Sequence, residues 1–159
     1  MELILDPPRG VAPLRLGMTL DEAIAAATPE WGEARVVPGR GLAVWKLDHV
    51  AVQALAEGDR SAVTAIELWW PGEGRTSTTR VLYEGDEVFT TPAKRLFARA
   101  AGRGLRVDTS DPEYPFIPGL SLGFTRVTSQ RVPRDSGGFP RCVTSVLVGG
   151  ENYYDRPCA

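Results

Sequence analysis

A chain of 159 residues, 43% hydrophobic and 24% charged, is sized for a single domain, residues 1–159, with one buried core. Its net charge of −2, divided between −4 over residues 1–79 and +2 over residues 80–159, is too small to draw it onto nucleic acid or an anionic membrane. Seventeen glycines and thirteen prolines call for many turns, which favours a sheet with short connections over a helical bundle.

The first residues, MELILDPPRG, carry acidic Glu2 where a secretion leader has a basic patch, and their apolar run stops at Leu5. No window has the eighteen or so apolar residues that a membrane helix needs, so a cytoplasmic location is expected. Cys142 and Cys158 are too few for a disulfide framework and are expected to be reduced.

Leu14–Thr19, LRLGMT, leads into a capping box in which the Thr19 hydroxyl takes the Glu22 amide and the Glu22 side chain reaches back. The helix predicted over 20–28 has an apolar stripe of Leu20, Ala23, Ile24 and Ala27 and is stopped by Thr28-Pro29. From residue 34 the pattern turns to period two. ARVV, LAVWKL, VAVQAL and AVTAIELWW, divided by PGRG, Asp48-His49 and AEGDRS, predict three or four strands of a meander.

PGEGRTST, residues 71–78, reads as a loop or an exposed strand edge, and VLYEGDEVF as a hairpin or a strand about Gly85-Asp86. Thr91 and Pro92 are placed to cap and start a second helix, AKRLFARAAGRG. Leu96, Phe97, Ala100 and Ala101 form its predicted buried face, Arg95, Arg99 and Arg103 its exposed one, and Gly102 and Gly104 its end. A short strand LRV, a proline-rich loop, the strand LSLGFTRV, the loop QRVPRDSGGFPR and the strand CVTSVLVGG complete the order. The fold expected is α+β, an antiparallel sheet of about six to eight strands carrying two helices, with pseudo-repeat halves at 1–78 and 79–150. LRLGMT and LSLGFT do not align those halves, because the first precedes a helix and the second follows one.

Candidate chemistry is sparse. His49 is the one histidine and reads as a turn or strand-edge residue. Cys142 reads as a small core residue of a strand, and Asp108, Asp111 and Glu113 as a solvated loop. HExxH, CxxC and EF-hand patterns are absent from the sequence, and Gly137-Gly138 lacks a phosphate-loop ending, so no metal and no cofactor is expected. Trp69 and Trp70 are adjacent on a strand and point to opposite faces, so one of them is expected at least partly exposed unless both faces are covered. Tyr153-Tyr154 poses the same question, and Lys94 with Arg95 and Arg99 could meet an acidic partner.

The segment LGMTLDEAIAA resembles the opening of small bacterial α+β domains, among them the β-lactamase-inhibitor-protein family and the small lipoprotein of the outer-membrane assembly machinery. That resemblance implies a helical segment laid on an antiparallel sheet and, from the inhibitor, protein binding through the sheet. The longer pattern LDPPRGVAPLRLGMT, FTTPAKR, DPEYPFIPGLSLGFTR and TSVLVGGENYYD is similar to an uncharacterised bacterial α+β group, some of whose members look like toxin-immunity proteins.

The reading that follows is a non-enzymatic protein-binding protein, an immunity-type inhibitor of a bacterial toxin, with Trp69, Trp70, Tyr153, Tyr154, Arg95 and Arg99 as binding residues and a monomeric or dimeric state. Two alternatives stay open: a small-molecule binder or enzyme that gathers Cys142, His49 and an acidic residue in one helix–sheet pocket, and a structural subunit that buries the strand around Trp69 against its copy.

Overall fold

Asp48 and His49 both take positive φ, 47° and 73°, and so make the two-residue turn whose twist matches that of the strands it joins. In the computed structural model, which describes residues 1–37, 39–57, 62–151 and 153–154, that turn links β5 (Leu42–Leu47) to β6 (Val50–Leu55). β4 (Arg35–Val37) and β7 (Ala65–Trp69) flank the hairpin, as the period-two pattern predicts. The AEGDRS turn falls largely outside the described residues.

β10 (Phe116–Ile117), β11 (Leu122–Thr125) and β12 (Ser145–Gly149) extend this sheet on its other side. β12 pairs with β7, and the order β10-β11-β12-β7-β6-β5-β4 is antiparallel throughout. The chain is therefore α+β with a seven-stranded antiparallel sheet built from both halves.

A smaller sheet forms from β1 (Glu2–Asp6), β2 (Gly10–Val11), β3 (Leu14–Arg15), β8 (Arg80–Tyr83) and β9 (Asp86–Glu87), with β1 and β8 parallel. β8 and β9 meet at Glu84-Gly85, both at positive φ, so of the two readings of VLYEGDEVF the hairpin is observed, turning one residue earlier than Gly85-Asp86 because Asp86, already in β9, pairs with Tyr83. β1 and β2 went unrecognised in the sequence because exposed Ile4 between Leu3 and Leu5 hides the alternation of β1, and β2 has only two residues.

Helix α1 (Leu20–Trp31) starts at the expected capping box: Glu22 N–H donates to Thr19 Oγ1 (3.1 Å) and Thr19 N–H to Glu22 Oε1 (3.4 Å). It does not stop at Pro29. A proline in the last turn forfeits one backbone bond, and the extra turn carries Trp31 into the core, where its ring meets Trp45 edge-on with centroids 5.4 Å apart. Such a pair is worth about 0.5–1.5 kcal/mol beyond the area it buries.

Helix α2 (Ala93–Gly102) begins one residue later than predicted, with Pro92 in extended geometry at the cap position and no side chain capping it. Thr91 instead donates its N–H to Glu87 O (2.9 Å). Ala93, Leu96 and Ala100 are buried and Phe97 packs on Phe124 of β11 at 5.4 Å, whereas Ala101 is exposed. Residues 105–107 form no strand, for only Asp108 bridges to Phe116. Leu120 lies in a 3₁₀ turn, Pro118–Leu120, and Ser121 at φ 50° separates it from β11. The last strand begins at Ser145 rather than Cys142.

One face of the large sheet presents Ala43, Trp45, Val52, Ala54, Ile66, Leu68, Leu122, Phe124, Val146 and Val148, all buried in a single cluster with α1, α2 and the smaller sheet. Among the described residues no helix lies on the other face.

Candidate functional site

Strand pairing fixes what the uncovered face displays, because residues in register on neighbouring strands point the same way. One row runs Arg35, Val44, Gln53, Glu67, Leu147, Gly123, Phe116 from edge to edge. The next runs Lys46, Ala51, Trp69, Ser145, Thr125. Val44, Gln53, Glu67 and Leu147 are half-buried, and Arg35, Lys46 and Trp69 are exposed. Trp69 stands between two small residues, Ala51 and Ser145, so its indole has no tall neighbour in its own row and keeps 36% of its surface.

Trp70 takes the opposite direction, as alternation requires. Its N–H donates to Thr144 O (3.0 Å), and its ring lines an apolar recess of about 350 Å³ together with Phe89, Val132, Pro133 and Cys142. The tryptophan pair thus divides, one indole on the open face and the other in a groove.

Tyr153 and Tyr154 close one end of the open face. Both sit where a glycine leaves room: a Cβ at Gly123 would run into the Tyr154 hydroxyl, and one at Gly149 into the Tyr153 ring. Tyr154 stacks on Phe116 with centroids 4.6 Å apart, and Tyr153 Oη–H donates to Glu57 Oε1 (2.8 Å). Burial, with the Glu57 hydrogen bond and charge after it, pushes the Tyr153 phenol well above its ordinary range, and burial with the Glu67 charge pushes Tyr154 up to about 12.

Glu67 is the acid at the centre of this face. Desolvation raises its carboxyl above the ordinary value, the Trp69 indole opposes this in part, and the Glu57 charge adds to it. No cation pairs with Glu67 among the described residues.

The arginine stripe of α2 is partly committed to the fold. Arg99 pairs with Asp86 (2.9 Å) and the Arg103 guanidinium lies 5.3 Å from the centroid of the Tyr83 ring, so both tie the helix to the β8–β9 hairpin. Arg95 is exposed and makes no ion pair among the described residues.

His49 and Cys142 belong to different surroundings. His49 Nδ1 accepts from Arg75 Nη1 (3.3 Å) beside the turn, while Asp48 clasps the 71–78 loop, its carboxylate accepting from Thr78 N–H (2.6 Å) and Thr78 Oγ1–H (2.7 Å). These bonds hold the Asp48 carboxyl below its ordinary value. Cys142 lines the Trp70 recess, in which His49 has no part, and burial raises its thiol despite Arg126 and Arg141 nearby, the opposite of nucleophile activation. Cys158 lies outside the described residues.

The acidic loop makes turns: Asp108 Oδ1 accepts from Ser110 N–H and Oγ–H, and Asp111 Oδ1 from Glu113 N–H. No metal-holding group of His, Cys, Asp and Glu occurs among the described residues. Sequence reasoning missed Glu67, whose signal is its place two residues before Trp69 on a strand, hence on the same face. No described helix is long and apolar enough to cross a membrane. Comparison with family models, with curated proteins and with solved structures finds no match.

Proposed function

We propose that this chain is a non-enzymatic protein-binding module, an immunity-type inhibitor acting in the bacterial cytoplasm, whose uncovered sheet face lies over its partner and blocks it. The observation that carries the reading is the half-exposed Trp69 beside the unpaired, half-buried Glu67, walled at one end by Tyr154 and Phe116. Aromatic anchors on a preformed surface supply binding energy at low entropic cost, and a carboxylate already partly desolvated by its own fold gains most from a cation brought by the partner. The partner's contact point is therefore a lysine or arginine seated over Glu67 against the Trp69 indole, where charge pairing and cation–π attraction add.

The test is capture from native lysate by the wild-type chain and by Trp69→Ala, followed by titration of the identified partner. Loss of at least ~10-fold in affinity with the melting temperature retained supports the reading, since a central aromatic anchor is worth 2 kcal/mol or more. Undiminished affinity in Trp69→Ala and in Tyr154→Ala overturns it.

A further inference from the structure

Pro92, Lys94, Arg126, Asp135, Ser136 and Arg141 enclose a recess of about 350 Å³ at the N-terminal end of α2. Three cations and one carboxylate line it. At a larger recess of about 820 Å³ the lining cations are neutralised, for Arg9 and Arg15 share Asp6 at 2.6 and 3.2 Å. Here Lys94 and Arg141 make no ion pair among the described residues, and the one acid, Asp135, is engaged by Arg126 at 2.8 Å.

Arg126 is a buried charge, 8% exposed, held by Pro140 O through Nε and Nη2 and by Asp135 through Nη2. Its Nη1 has no hydrogen-bond partner among the described residues, although the guanidinium lines the recess. That nitrogen opens onto the recess and is not sealed in protein, so an anion seated there can accept from it in place of solvent, and a hydrogen bond to a charged donor is stronger than a neutral one.

The helix end adds to the same field. Pro92 supplies no side-chain cap, the Ala93 N–H is taken by Arg141 O (2.7 Å), and the Lys94 N–H has no acceptor among the described residues. An uncapped first turn carries partial positive charge and favours an anion.

We propose that this recess binds a dianionic oxyanion of the phosphate-monoester type, held by Arg126 Nη1, the Lys94 amide and side chain, and Arg141. The formal charge of +2 on its lining matches a dianion better than a carboxylate. The body of the ligand is apolar, because Pro92 and Arg141 also line the neighbouring recess whose other walls include Trp70, Phe89 and Cys142. A phosphate ester of a flat or aliphatic group would place its head among the cations and its body against Trp70.

Titration of the full chain with inorganic phosphate and with phenyl phosphate, followed by amide chemical shifts and calorimetry at fixed ionic strength, tests the proposal. Saturable binding that shifts the Lys94 and Ser136 amides, tighter for phenyl phosphate, is expected. Lys94→Ala and Arg141→Ala, both at exposed side chains, are each expected to weaken it by about tenfold, the worth of one charged hydrogen bond. Arg126 also holds its own loop, so Arg126→Lys is read only where its melting temperature matches the wild type. Absence of saturable shifts at these amides, or binding unchanged in a folded Lys94→Ala/Arg141→Ala double variant, overturns the proposal.

Discussion

Tyr153 and Glu57, 96 positions apart in sequence, are joined by a 2.8 Å hydrogen bond that brings the last described residues back onto the first meander. Together with the Tyr154–Phe116 stack it makes the tail a wall of the open sheet face.

Both phenols ionise later than the ordinary value of 10.0, Tyr154 at about 12. A raised folded-state pKa means that the native state keeps its proton longer, so this contribution to stability is whole below pH 10 and declines as pH rises through the folded values. Ultraviolet titration should show two late phases, and Tyr153→Phe and Tyr154→Phe should each remove one. Gly123→Ala, whose Cβ would meet the Tyr154 hydroxyl, should bring the Tyr154 phase down and cost about 1–3 kcal/mol by overpacking. Unaltered titration in that variant would show that the tail does not rest on β11.

Glu67→Gln separates stability from function. The native carboxyl has a raised pKa, so its ionised form destabilises the fold at neutral pH, and that penalty disappears as pH falls through the folded value. The glutamine variant should therefore melt higher than wild type near pH 7 and bind the partner more weakly, by at least ~10-fold. A variant that melts lower, or binds as well, contradicts the role assigned to the central acid.

Asp48 is a latch for the 71–78 loop. Its pKa is depressed by the Thr78 bonds, so its contribution is present above the ordinary 3.8 and is lost as pH falls through the lower folded value. Asp48→Gly, which suits the positive φ and removes the acceptor, should release the Thr78 amide, with exchange faster by about tenfold, about one hydrogen bond's worth, while amides of β6 and β7 hold their protection. Equal exchange at Thr78 in both proteins would argue against the latch.

At α1, Thr19→Ala removes one half of the capping box and leaves the buried stripe intact. Urea denaturation should show a loss of about 1 kcal/mol with an unchanged m-value. A loss of a few tenths would mean that solvent replaces the hydroxyl.

Local signals carried much of this architecture. The capping box at Thr19 and the Asp48-His49 break are each written in two to four adjacent residues and are observed, and the turn read about Gly85-Asp86 is found one residue earlier, at Glu84-Gly85. What adjacency does not encode was missed or misplaced. Pro29 looks like a stop until Trp45, on another element, rewards one more turn of helix. Leu105–Val107 has strand composition but finds no partner strand. The alternation rule placed Trp69 and Trp70 on opposite sides, yet it could not tell which side was open. The recess of Lys94, Arg126 and Arg141 gathers residues from a helix start, a strand end and a loop, and no spacing in the sequence announces it.

The pairing of β7 with β12 sets an order of events during synthesis. Trp69 meets Ser145, and Ala65 meets Gly149, so the first meander ends on an unpartnered edge until some eighty further residues have been made. Meanwhile β1 waits for β8. A nascent chain cut short within the 126–144 loop would present Ile66 and Leu68 on a bare strand, which makes β7 the segment most in need of shielding before the chain can close upon itself.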